Sequence, residues 1–159
     1  MVDFTIDMSF LEDLKKEEIE GGKIMKYIVR EGKNLMQKKM EQGAKARIKF
    51  EGRTKDGELL DLKRDRNSER VLRVMIPDEL IWGFHVAVMS MKENEISWFR
   101  FPPEYHFYKY GNKTIPFPKN EGSEKNSETI ARNDPLFYKI TLLEFNNPEK
   151  IPAKMDYDG

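Results

Sequence analysis

The apolar residues of this chain recur mostly with a period of two, and this constrains the fold more than any other feature. From Ala44 to Thr54, Ala46, Ile48 and Phe50 alternate with Lys45, Arg47 and Lys49. Successive strand side chains point to opposite sides, so such a segment buries one face and wets the other. Lys23–Arg30 alternates similarly, Val71–Ile76 and Ile96–Phe101 read as further strands, the latter ended by Pro102-Pro103, and Leu136–Phe145 is a strongly apolar closing strand. The central helical pattern is short: Leu80, Phe84 and Val88 stand at i, i+4 and i+8, widened by Ile81. Asp78, just after Pro77, is placed to cap a helix beginning near Glu79. Many strands, one short helix and a late apolar strand make the expected class α+β, a pattern that many folds share.

Punctuation divides the chain into an arm (1–22), a domain (23–147) and a linker (148–159). In the arm, Ser9 and Glu12 have capping-box spacing, and a helix is expected from Phe10 to Ile19, ending at Gly21-Gly22. Its thin apolar stripe of Phe10, Leu11 and Leu14 suits a solvated helix on the domain edge or a partner-binding helix. Residues 33–42 are polar and tolerate a helix. Lys55-Asp56-Gly57 reads as a tight turn. Residues 112–134 are polar and form a long expected loop, the kind that carries function or stays disordered. Ile115-Pro116-Phe117-Pro118 is expected to pack, Asn120–Glu128 to remain mobile, and the loop to contact a partner protein.

With 159 residues and 38% hydrophobic content, the chain can build one ordinary core. Its 28 basic and 28 acidic residues cancel, which argues against a dedicated nucleic-acid binder. It has no cysteine, hence no disulfide framework and no thiolate zinc site. The apolar runs fall far short of the ~20 residues a membrane helix needs, and no signal peptide is visible. Cytoplasmic or nuclear residence and a monomeric state are the defaults, with no cofactor. His85 and His106 are too isolated for a metal site. Trp82 and Trp98 read as core or edge packing more readily than as pocket residues. The Phe99–Tyr108 stretch mixes rings with basic groups, as single-strand binders do, but strand periodicity would bury half of those rings.

Several short strings occur in one order. Phe50-Glu51-Gly52, Asp56-Gly57, Leu60-Asp61 and Arg64-Asp65-Arg66-Asn67 come first. Leu80-Ile81-Trp82-Gly83-Phe84, Met89-Ser90-Met91-Lys92, Pro103-Glu104-Tyr105 and Leu136–Leu143 follow. Together, over residues 23–147, they resemble the FKBP family of peptidyl-prolyl isomerases, which implies an α+β fold with a bent antiparallel sheet wrapped around one short helix. The tryptophan-glycine and methionine-serine variants are most similar to the germline, tetratricopeptide-repeat branch of that family, the Shutdown-like branch. Residues 148–159 would then lead toward such repeats.

The resemblance implies an apolar pocket that favours the twisted prolyl bond over its resonance-stabilised planar form. The implied pocket residues are Phe50, Leu60, Asp61, Leu72, Leu80, Ile81, Phe84, Tyr110, Ile130 and Tyr138. Phe84 stands for the family's floor tryptophan, Phe50 for a tyrosine and Leu60 for a wall phenylalanine. A second wall phenylalanine falls at Val71 or Leu72, and the late tyrosine at Tyr110 or Phe107. Asp61 retains the family's acid, as an orienting group or as an ion-pair partner of Arg66. The rings have shrunk together and a hydroxyl is missing, so the expected function is an interaction module with little or no isomerase activity. The alternative is an active isomerase with an unusual pocket. By resemblance to the branch, the partners would be the ninety-kilodalton heat-shock chaperone and Piwi-class proteins, in small-RNA (piRNA) loading in germ cells.

Overall fold

The computed structural model describes residues 6–33, 39–58, 69–76, 82–102, 105 and 134–148. The loop expected at 112–134, apart from Asp134, most of the 148–159 linker and the Asp78 cap fall outside them. The described strands are β1 (Lys15–Ile19), β2 (Ile24–Arg30), β3 (Lys45–Thr54), β4 (Arg70–Arg73), β5 (Ile96–Phe101) and β6 (Leu136–Asn146). The helix α1 spans Trp82–Met89. The strands form one six-stranded antiparallel sheet in the order β1-β2-β5-β6-β3-β4. The expected α+β class, an antiparallel sheet with one short helix, is the one observed.

Alternation along the strands sorts the core onto two faces. Ile24, Ile48, Leu72, Phe99, Phe101, Tyr138, Ile140 and Leu142 are buried with α1 in the main core. Tyr27, Trp98 and Phe137, one residue out of step with these, point to the opposite face. The two clusters are thus built from the same strands, and a one-residue slip of register would exchange them.

The back face is covered by the N-terminal segment, and here the expected helix is corrected. Met8–Asp13 is a short 3-10 helix and Lys15–Ile19 is strand β1, so no α-helix spans Phe10–Ile19. The cap is Asp7, whose carboxylate accepts from the Ser9 backbone N–H at 2.9 Å, rather than the Ser9–Glu12 box. That hydrogen bond pulls the Asp7 carboxyl below its usual value. Lys-Lys-Glu-Glu favours helix intrinsically, but its backbone groups gain a sheet edge by pairing with β2. Leu11, with Met8, Phe10 and Leu14 beside it, packs on Tyr27, Trp98 and Phe137. Phe10 meets the Trp98 ring edge-on, centroids 5.7 Å apart. At its far end the segment meets the turn after β3, where the Ile6 N–H donates to Gly57 O at 3.2 Å. Gly57 has φ +86°, and a Cβ there would lie 1.9 Å from Ile6 O, so only glycine fits both the turn and the crossing segment.

The strand expected at Val71–Ile76 is shorter and begins earlier. β4 runs from Arg70 to Arg73, and Met75 takes φ +65°, a left-handed conformation that ends the extended run. The helix was expected to bury one face; instead Gly83 to Val88 are all buried. A Cβ on Gly83 would stand 3.0 Å from the Phe101 ring, so this glycine sets how closely α1 lies on the sheet.

The C-terminal end of α1 is tied to the sheet by a buried charge. The Lys26 ammonium, 3% exposed, lies 2.8 Å from a Glu95 carboxylate oxygen that is 4% exposed. It also donates to the Ser90 carbonyl at 2.8 Å, just past the helix end, where a cation is favoured. Glu95 accepts further from the Ser97 hydroxyl at 2.7 Å and the Lys92 N–H at 3.0 Å. Truncating one member of such a pair strands the other's charge. Lys26→Met should therefore cost about 3–5 kcal/mol in urea unfolding, and a loss below about 1 kcal/mol would contradict this role.

Burial beneath the N-terminal segment pushes the Tyr27 phenol above its ordinary value. A proton held more tightly in the folded state stabilises it fully below about pH 10 and is lost as pH rises further. The tyrosinate absorbance titration of the wild type minus that of Tyr27→Phe should therefore show a midpoint above the ordinary phenol value. Truncating Leu11 to Ala should bring that midpoint down.

Candidate functional site

β3, β6 and β5 each aim one aromatic ring at the helix, and α1 supplies Phe84 between them. Phe84 meets Phe50 at 4.8 Å between centroids and Tyr138 at 4.7 Å, both edge-on. Phe50 and Tyr138 are 6.2 Å apart, and Phe101 lies 6.1 Å from Phe84 and 5.8 Å from Tyr138. Edge-to-face contact places the positive rim of one ring on the negative face of another, which adds to plain burial. Tyr138 is fully buried and Phe84 is 2% exposed, while Phe50 is half-buried.

Of the residues expected at the pocket, the structure brings together Phe50, Phe84 and Tyr138 and buries Leu72 in the same core. Val71 and Leu72 were both open for the second wall position. Leu72 is fully buried on the front, whereas Val71 is 60% exposed. Leu60, Asp61, Leu80, Ile81, Tyr110 (with Phe107) and Ile130 lie outside the described residues.

One residue at this site escaped the sequence reading. Arg70 shares the front face with Leu72 and pairs with Ile48 in register. Its guanidinium lies over the Phe50 ring, 6.0 Å from the centroid, a cation–π arrangement. The signal available was positional: residues two apart on a strand share a face, so Leu72 inward implies Arg70 inward.

The remaining candidates are structural. His85 is completely buried on α1, and its Nδ1 accepts the Met75 backbone N–H at 2.8 Å. That places the neutral ring's proton on Nε2 and ties the helix to the left-handed residue after β4. Trp82 packs on His85 at 5.3 Å, and Trp98 belongs to the back-face cluster. The Tyr105 hydroxyl donates to Glu20 at 3.1 Å, joining the connection after β5 to the β1–β2 turn. Among the described residues no group of three or more His, Cys, Asp or Glu side chains could hold a metal ion.

Comparison with known proteins fits this geometry. Residues 36–143 match the FKBP-type peptidyl-prolyl cis-trans isomerase family. The chain therefore belongs to that family. Among solved structures, a multi-domain immunophilin from Arabidopsis thaliana superposes with a TM-score of 0.66 at 18% identity, over 92% of this chain and 51% of that one. The three FKBP domains of wheat FKBP73 give a TM-score of 0.58 at 20% identity, over 85% of this chain and 50% of that one. A peptidyl-prolyl cis-trans isomerase from Pseudomonas syringae gives 0.56 at 18% identity, over 86% of this chain and 88% of that one. At these identities the likeness is one of fold, and the chain spans about half the length of the two plant proteins.

Phe84 is central to this packing, so its truncation tests the arrangement. Phe84→Ala should cost about 3–5 kcal/mol, as core aromatic truncations do. Urea denaturation would measure it, and a change under about 1 kcal/mol would be incompatible with the three ring contacts.

Proposed function

We propose that this domain binds peptide segments of partner proteins and catalyses prolyl isomerisation weakly or not at all. The observation that carries this reading is the burial of Phe84. Isomerisation in this family requires the prolyl ring to enter an apolar pocket and settle on its floor. Here the floor ring is 2% exposed, with Phe50 and Tyr138 packed on it at under 5 Å. Phe50 also lacks the hydroxyl that a tyrosine would offer for orienting the substrate backbone.

The finer reading follows the resemblance of the sequence strings to the germline branch. The domain would be part of a cytoplasmic co-chaperone working with the ninety-kilodalton heat-shock chaperone in loading Piwi-class proteins. Support for this rests on those strings alone. Family membership favours a second reading, an active isomerase with an unusual pocket.

A protease-coupled assay on a Leu-Pro peptide separates the two readings. The domain should be slower than an active FKBP at equal concentration by at least about tenfold, given what lost orienting donors cost. Tacrolimus should leave its melting temperature unchanged, since a ligand stabilises only a protein that binds it. A comparable rate, or clear stabilisation by the drug, would establish the active-enzyme reading instead.

A further inference from the structure

We infer that Arg70 makes this face selective for extended peptides that carry an acidic residue beside the apolar residue packing on Phe50. The inference deepens the peptide-binding reading above and rests on it. Its starting point is a contrast among guanidinium groups. Arg47 is held by Glu69 and Glu144, each at 2.8 Å, and Arg53 by Glu51 at 2.6 Å. Arg70, among the described residues, has no carboxylate within ion-pair distance; its recorded contact is the face of Phe50.

A guanidinium held over a ring face by its charge does not use its N–H donors there. Those N–H groups remain to be used, and a carboxylate can accept two of them side by side. Arg70 and Phe50 are both half-buried, so each still presents surface. Phe84 and Tyr138 behind them are closed off. The accessible part of the aromatic site is therefore an apolar ring bordered by a cation. A peptide matching both halves pairs an apolar side chain with an adjacent Glu or Asp. The chain's 28 basic and 28 acidic residues cancel, so a preference for anionic peptides would have to come from a local group rather than from overall attraction.

The test uses two fluorescein-labelled peptides, Ala-Glu-Leu-Pro-Phe-Ala and Ala-Lys-Leu-Pro-Phe-Ala, titrated with the full chain by fluorescence polarisation. The acidic peptide should bind tighter by about three- to fivefold at low salt, the range for a partly exposed charge contact, and the gap should shrink at high salt. Arg70→Gln should abolish the preference, Arg70→Lys should keep it, and Arg70→Glu should reverse it toward the lysine peptide. Reversal is an outcome that a merely structural arginine would not produce. Equal binding of the two peptides, a preference that survives Arg70→Gln, or no binding of either peptide would overturn the inference. These results are independent of the isomerase assay: failure here leaves the low-catalysis reading standing, and an active isomerase can still show the charge preference.

Discussion

The insertion of Phe84 between Phe50 and Tyr138 is the contact on which the rest of the front face depends. It joins α1 to β3 and β6, strands that pair with each other along ten residues of β3. Gly83, next to it, permits the approach, because any side chain there would meet Phe101. His85, one residue on, fastens the same helix to the end of β4 through Met75. Three consecutive residues therefore fix how close the helix lies, which strands it touches and how the chain leaves the sheet edge. On the reading proposed above, the same packing that stabilises the core would also hide the ring a catalytic pocket needs to expose.

At the other end of the helix the joint is electrostatic. Lys26 reaches from β2 to the Ser90 carbonyl and to Glu95, so apolar and charged anchors hold opposite ends of an eight-residue helix too short to be stable alone. The buried ion pair is costly to desolvate, but its members are also hydrogen-bonded to Ser97 and the backbone, the condition under which such pairs are tolerated.

Much of this was legible in the sequence. The alternation of Ala46, Ile48 and Phe50 with charged residues reports which face of β3 meets the core, and Phe50, Phe84 and Tyr138, expected at one pocket, pack on one another. What stayed hidden has physical reasons. β1 is nearly all charged, with a composition that favours helix, so nothing local announced a strand; its pairing with β2 is a tertiary gain. Arg70 broke the apolar pattern of β4 and so fell outside the strand, although its long stem and flat cation can lie on a ring as an apolar side chain would. The left-handed turn at Met75 carries no glycine to signal it. His85 looked isolated in the sequence because its partner is a backbone N–H rather than another side chain.

The N-terminal segment bears on the order in which the molecule assembles. Its docking surface, Tyr27, Trp98 and Phe137, comes from β2, β5 and β6, and exists only when those three strands are already side by side. β2 and β6 are separated by most of the chain, so bringing them together is the slow, entropically expensive step. Residues 6–14 can therefore close over the back face only after that step, and their contacts should be absent from the folding transition state. Interactions of this kind leave the folding rate almost untouched and slow unfolding instead. Residues 6–14 thus settle after the strands they cover, and they should act as a brake on opening: they would set how long a folded molecule lasts rather than how quickly one forms.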